Sequence, residues 1–222
     1  MDAQAFDFAE ARNRMVDSQV RPNKVTDPRI VAAMRELPRE LFVPAAQRSI
    51  AYIDEDIPIG HGRVLIEPMV IARLVQLLAP AEGDNVLVIA AAPGYGSALL
   101  AACGARVTAL EENLELADSM RSILNHLAPS VSVVTGPLEA GWPAGAPYDA
   151  ILLEGAVEQI PPALNAQLRA EGGRLATVLK PGPGMGQAVI AERTPVGLRP
   201  YPVFDCATPA IPSLKRKPGF VF

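Results

Sequence analysis

The fold of this chain is constrained most by a change of period near residue 80. Beyond it, short apolar runs at 86–90, 107–110, 131–134, 150–153 and 175–179 alternate with helix-spaced stretches at 97–103, 112–127 and 162–169. Runs that are apolar throughout and separated by helices fit a sheet covered on both sides, because a strand with one wet face alternates polar and apolar residues. The spacing therefore predicts a doubly wound α/β sheet. Two more strand-like runs, 188–192 and 203–208, are joined by Pro195, Gly197, Pro200 and Pro202. That connection is too short for a crossover helix, so a C-terminal antiparallel hairpin is expected to close the sheet.

The first 80 residues read differently. Phe8, Ala11, Met15 and Val16 recur at helical spacing within 6–20. Thr26, Asp27 and Pro28 give a second helix an N-cap and an early proline; Ile30, Val31, Met34 and Leu37 form its apolar face, and Pro38 ends it. Residues 57–67, with Pro58, Gly60 and Gly62, read as a loop. Pro68 then opens a third helix with Ile71, Leu74, Val75 and Leu78 on one face, and Pro80 stops it. Residues 1–80 are thus expected to be an N-terminal helical subdomain beside one α/β domain, 81–222.

Composition removes several function classes. With 20 Lys plus Arg against 24 Asp plus Glu, the net charge is -4, whereas nucleic acids and anionic membranes call for concentrated positive charge. The one basic run, Lys215-Arg216-Lys217, reads as a solvated tail. Two histidines and two distant cysteines, Cys103 and Cys206, do not make a zinc ligand set, so no metal is expected. Residues 86–105 carry no charge, yet Pro93-Gly94-Tyr95-Gly96 splits them into a strand and a helix rather than a membrane span. The chain opens with Asp2, Asp7 and Glu10 instead of a basic segment and an apolar run, and a reduced, cytoplasmic protein is expected.

Ligands of open α/β sheets bind at the carboxyl ends of the strands, where the strand order reverses. The first such turn here is Ala90-Ala91-Ala92-Pro93-Gly94-Tyr95-Gly96. About twenty residues on, Glu111 ends the second strand, where an acid can accept both hydrogen bonds of a ribose diol. A glycine beside a strand and an acid at a strand end also occur as plain turn chemistry, so these residues alone leave both readings open.

The surroundings carry a resemblance. The peptides Pro38-Arg39-Glu40-Leu41-Phe42-Val43 and Ile57-Pro58-Ile59-Gly60-His61-Gly62, the helix at 64–78, Gly94-Tyr95, Ala146-Pro147-Tyr148-Asp149-Ala150-Ile151 and Gly172-Gly173-Arg174-Leu175 resemble the protein-L-isoaspartate O-methyltransferase family along nearly the whole chain. Residues 209–222 resemble a bacterial subgroup of it. The resemblance implies a class I S-adenosylmethionine (SAM) methyltransferase-like seven-stranded sheet whose cleft is walled by the N-terminal helices. It also implies a monomer that methylates isoaspartyl carboxylates of damaged proteins, with Gly94, Tyr95 and Glu111 at the cofactor. Such a transfer needs no general base, since a carboxyl with a pKa of about 4 is already ionised; it needs orientation and donors.

The chain departs from the family at the positions nearest the chemistry. Where the family's loop runs acid-x-Gly-x-Gly-x-Gly, this chain has Val88, Ala90 and Ala92 and keeps only Gly94. The alanines add Cβ atoms where the backbone approaches the cofactor or takes positive φ, at roughly 1 to 2 kcal/mol. Pro137 stands where the family's adenine-side acid does, offering neither an acceptor side chain nor an N–H. Ile66 stands at the family serine, followed by Glu67, and Glu154 ends the fourth strand as a further acid at the rim. Weak SAM binding and little methylation are therefore expected, with a catalytically impaired descendant that holds another ligand or a protein partner as the alternative. Glu111, Glu67 and Glu154 would make the cleft prefer a neutral or cationic group. Glu154 and Glu158 also read as solvated loop acids, His61 as a loop residue and Trp142 as packing, whereas the large ring of Tyr95 in the loop calls for a partner in the pocket.

Overall fold

Asp27 starts a helix for the reason its sequence position gives. Its carboxylate accepts from the Arg29 N–H at 2.9 Å and Pro28 occupies the first turn, so α2 (Pro28–Glu36) begins there and stops before Pro38. The computed structural model describes residues 6–215; Arg216 and Lys217 of the basic run lie outside them. Asp7 likewise caps α1 (Phe8–Met15), which runs on through one π-helical turn, Val16–Val20. The third helix, α3 (Pro68–Leu77), opens on Pro68 and buries Val70, Ile71, Leu74 and Val75.

Residues 57–67, expected as a loop, are instead a small hairpin, β1 (Ile57–Gly60) with β2 (Arg63–Leu65). The glycines that suggested a loop serve its turn. His61 (φ 52°) and Gly62 (φ 70°) are both left-handed, as a two-residue turn that matches strand twist requires. On either side Ile57 and Leu65 pair and bury their side chains.

The main sheet has seven strands in the order β5-β4-β3-β6-β7-β8-β9. β3 (Asn85–Ile89), β4 (Arg106–Glu111), β5 (Ser132–Thr135), β6 (Ala150–Val157) and β7 (Arg174–Leu179) are parallel, and β8 (Gly186–Thr194) and β9 (Gly197–Cys206) close the sheet as the expected antiparallel hairpin. Alternate residues of β3 serve two cores. Val86 and Val88 join the one that includes α2, α3, α4 (Tyr95–Ala102) and α5 (Leu114–Leu127), whereas Leu87 and Ile89 join the one under α6 (Ala163–Gln167). This is why the strands read as apolar throughout. The uncharged stretch 86–105 is strand, turn and helix, and no helix among the described residues is long and apolar enough to cross a membrane. Cys103 and Cys206 are buried and unpaired with one another.

The order reverses between β3 and β6, so the carboxyl ends of these strands are the switch point. β6 runs four residues beyond the expected strand, through an irregularity in its pairing with β7 between Leu152 and Ala156. Glu154 and Gly155 (φ 146°) fall in that irregular stretch. Bulges of this kind re-aim a side chain next to a site.

Candidate functional site at the sheet switch point

The turn from β3 to α4 keeps a conformation that favours glycine although its sequence does not. Ala90 sits at φ 59°, and Gly94, the residue before α4, at φ 105°. The expected strain of a Cβ at positive φ therefore falls on Ala90. Every residue from Ala90 to Gly94 is buried, so the turn does not lie open to a ligand. The chain's own residues cover it.

Arg63, the first residue of β2, reaches into this space. Its Nη1 lies 3.2 and 3.0 Å from the two carboxylate oxygens of Glu111, and its Nη2 donates to the carbonyl of Ala90. Glu111 also accepts from the backbone N–H of Ala92 at 3.2 Å, Glu112 at 3.0 Å and Asn113 at 3.2 Å. The Arg63 and Glu111 side chains are 6% and 0% exposed. A carboxylate has about four lone-pair sites, so Glu111 has none left over. Outside the pair is a cavity of about 280 Å³ lined by His61, Arg63, Glu111, Asn113, Leu116 and Pro212. His61, in the turn between β1 and β2, has its Nε2 3.0 Å from Glu115.

A second buried polar group lies on the N-terminal side. Arg39 is fully buried, donates to the carbonyls of Ala51 at 2.8 Å and Ile66 at 2.7 Å, and stacks its guanidinium 4.9 Å from the centre of the Tyr95 ring. Phe42 meets the same ring edge-on at 5.2 Å. Tyr95 thus has the partner its size called for, but that partner is the helical wall of its own chain. Ile66, at the family serine, is buried and contributes its carbonyl to Arg39. Arg39 Nη1, Tyr95 OH, Ser97 Oγ and Glu154 Oε1 are buried without a hydrogen-bond partner among the described residues.

Glu154 is neither a solvated acid nor a rim carboxylate. Burial pushes its carboxyl up to about 8, aided by Glu111 and opposed by Arg63 and Arg39. A Cβ on Gly96 would collide with its Oε1, so the glycine makes room for it. Glu67 precedes α3 and is half-buried; burial, with Asp56 and Asp54 nearby, raises its carboxyl to about 7. Burial raises Asp56 as well, and Asp56 accepts from the Glu67 N–H at 2.8 Å. Trp142 packs partly buried against the second core as expected, and Pro137 precedes a short 3-10 turn, Leu138–Ala140. The structure thus brings Ala90, Ala92, Glu111 and Glu154 to one end of the sheet, with Tyr95 and Ile66 behind them. The residues that join them, Arg63 and Arg39, were not legible as site residues. Arg63 stands directly after the turn glycine of the hairpin, whose Pro58, Gly60 and Gly62 have the composition of a loop.

A mostly parallel seven-stranded sheet with this order, a tight turn at its switch point and an acid ending the next strand defines the class I SAM-methyltransferase-like fold. Among solved structures, a protein-L-isoaspartate O-methyltransferase superposes with a TM-score of 0.78 at 20% identity over 93% of this chain and 67% of its own. A putative enzyme of that name from Plasmodium falciparum, in complex with S-adenosyl-L-homocysteine, gives 0.75 at 16% identity over 91% and 98%. A sequence model of the protein-L-isoaspartate(D-aspartate) O-methyltransferase family matches residues 10–191. The protein-L-isoaspartate O-methyltransferase of Methylorubrum extorquens (strain PA1) is 42% identical over 83% of this chain and 79% of its own, and that of Koribacter versatilis (strain Ellin345) 39% identical over 90% and 89%. This chain belongs to the protein-L-isoaspartate O-methyltransferase family.

The residues as folded offer SAM few of the contacts the resemblance implies. Glu111, expected from the sequence to meet a ribose, has both carboxylate oxygens on Arg63, the turn that carries Ala90 and Ala92 is buried, and Val88 is a fully buried strand residue rather than an acid.

Proposed function

We propose that this protein carries its family's activity, SAM-dependent carboxyl methylation of isoaspartyl residues in proteins, at a low level set by weak cofactor binding. The observation that carries the reading is a turn with Ala90 and Gly94 both at positive φ, followed by Glu111 at the end of β4, with a guanidinium of the chain itself on that acid. The partner is a protein or peptide substrate. The described part of the N-terminal region, residues 6–80, acts as one wall of its cleft over the α/β domain that begins at residue 81, and the chain works as a cytoplasmic monomer. Glu67 and Ile66 add no donor for the substrate carboxylate, which lowers turnover further.

Radiolabelled methyl transfer to an isoaspartyl peptide, beside a family member with the intact glycine loop and serine, tests this. Turnover at least tenfold below that control, rising steadily with SAM into the millimolar range, is expected. Turnover equal to the control at micromolar SAM overturns the weak-binding reading. Complete absence of transfer at millimolar SAM overturns the activity and leaves the impaired descendant, which the filled Glu111 site favours.

A further inference from the structure

We propose that Arg63 is a specificity-determining residue: its guanidinium is the resident ligand of Glu111 and bars ribose-bearing molecules from the carboxylate that the fold presents to them. The proposal rests on the reading of the cleft as descended from a SAM site, and it goes beyond it by naming the residue that closes the site and the chemistry the site now selects.

Three features make Arg63 an occupant of the site rather than a chance neighbour. Its donors cover both carboxylate oxygens, at 3.2 and 3.0 Å, and its other terminal nitrogen bonds the Ala90 carbonyl, so it spans from the end of β4 to the turn after β3. A ribose diol directed at Glu111 would need the same oxygens. The hairpin also fixes its approach. Arg63 pairs with Gly60 just beyond the two left-handed turn residues, and a Cβ on Gly62 would meet Pro212 Cγ at 3.0 Å, so the C-terminal segment packs closely against the turn. That segment is itself held there, through hydrogen bonds of 2.9 Å from Ala156 N–H to Pro209 and from Ile211 N–H to Ala156.

The second feature is charge. Glu111 is buried, and without Arg63 its charge would be met only by the backbone N–H groups of Ala92, Glu112 and Asn113, and removing one partner of a buried ion pair is far more costly than keeping both. A molecule that enters must either replace a guanidinium or leave the carboxylate alone. The third is shape. The guanidinium is planar, and two of its nitrogens meet two different acceptors, a match that an ammonium does not provide. The site therefore favours guanidinium compounds over diols, which gives the expected preference for cations a definite form: the cation is supplied from within.

Binding to three proteins tests the proposal, with circular dichroism to confirm folding. S-adenosylhomocysteine is titrated calorimetrically into the wild type, Arg63→Gln and Arg63→Lys. Lysine keeps a charge for Glu111 but gives up the second acceptor, so Arg63→Lys remains informative where Arg63→Gln does not fold. The expected result is at least a tenfold tighter Kd than wild type in each variant that folds. Separately, Arg63→Ala is heated with and without millimolar methylguanidine, which is expected to raise its Tm by several degrees and leave the wild type unchanged. Unchanged affinity in the folded variants together with no response to methylguanidine overturns the proposal. A wild-type Kd in the low micromolar range instead overturns the weak-binding reading beneath it, so the two failures are distinguishable.

Discussion

Replacing Glu154 by glutamine should stabilise the protein, and do so more as the pH rises. Glu154 lies at the irregular end of β6 with one carboxylate oxygen unpartnered, and burial lifts its carboxyl from 4.5 to about 8. A raised carboxyl binds its proton more tightly in the folded state than in the unfolded one. Folding stability is therefore highest below 4.5 and is lost progressively as the pH climbs through about 8. At 1.36 kcal/mol per unit, the full effect is at most about 5 kcal/mol, and relaxation around the charged form should leave about 2 to 4 kcal/mol. Glutamine does not titrate, so Glu154→Gln escapes the loss. Glu67, raised to about 7, titrates in both proteins and cancels in the comparison. Urea unfolding of both proteins at about pH 5 and about pH 8.5 measures the effect, the expected outcome being a stability advantage for glutamine that grows by at least about 2 kcal/mol between the two. An advantage independent of pH would show that Glu154 ionises near its ordinary value, and the account of a dry carboxyl behind the turn would be wrong.

Gly94→Ala should destabilise the fold by about 2 to 4 kcal/mol, because φ 105° is hostile to a side chain and the new Cβ would lie 3.0 to 3.2 Å from Met120 and Leu124; a thermal unfolding shift of under two degrees would contradict this. Tyr95→Phe should change stability by about 1 kcal/mol or less, since the buried hydroxyl makes no well-aligned hydrogen bond among the described residues and its polar neighbour Arg39 keeps the carbonyls of Ala51 and Ile66, while the ring keeps Arg39 and Phe42. Chemical denaturation that finds a loss above about 2 kcal/mol would reveal a partner for that hydroxyl.

The sheet was legible because burial on both faces leaves a simple mark. β3 and β6 carry almost nothing but apolar residues, and their alternation with helices admits few arrangements. The helix starts at Asp27 and Pro68 were legible for an equally local reason, a cap and a proline. The β1–β2 hairpin was not, because its strands are three and four residues long and its turn is His-Gly rather than the commoner Asn-Gly. The departures of Val88, Ala90, Ala92, Pro137 and Ile66 from the family pattern are legible in the sequence, but they do not indicate what meets Glu111. The partner of Glu111 lies 48 residues away on a strand that was read as a loop, and no periodicity connects the two. Glu154 was misplaced for a related reason: a strand that ends in an irregularity turns its acid inward, whereas a strand that simply stops leaves it at the edge.

The turn after β3 and the acid that ends β4 persist here while the chain's own Arg63 occupies that acid. Calorimetric titration of the wild-type protein with S-adenosylhomocysteine tests this most directly, since that ligand carries the same ribose and needs the same oxygens of Glu111. A dissociation constant near or above about 1 mM is expected, the affinity left when the acids that Val88 and Pro137 replace, two charge-assisted contacts of roughly 1.5 to 3 kcal/mol each, are missing from a micromolar site. A dissociation constant at or below about 10 µM would contradict it, showing that the ribose displaces Arg63 at little cost.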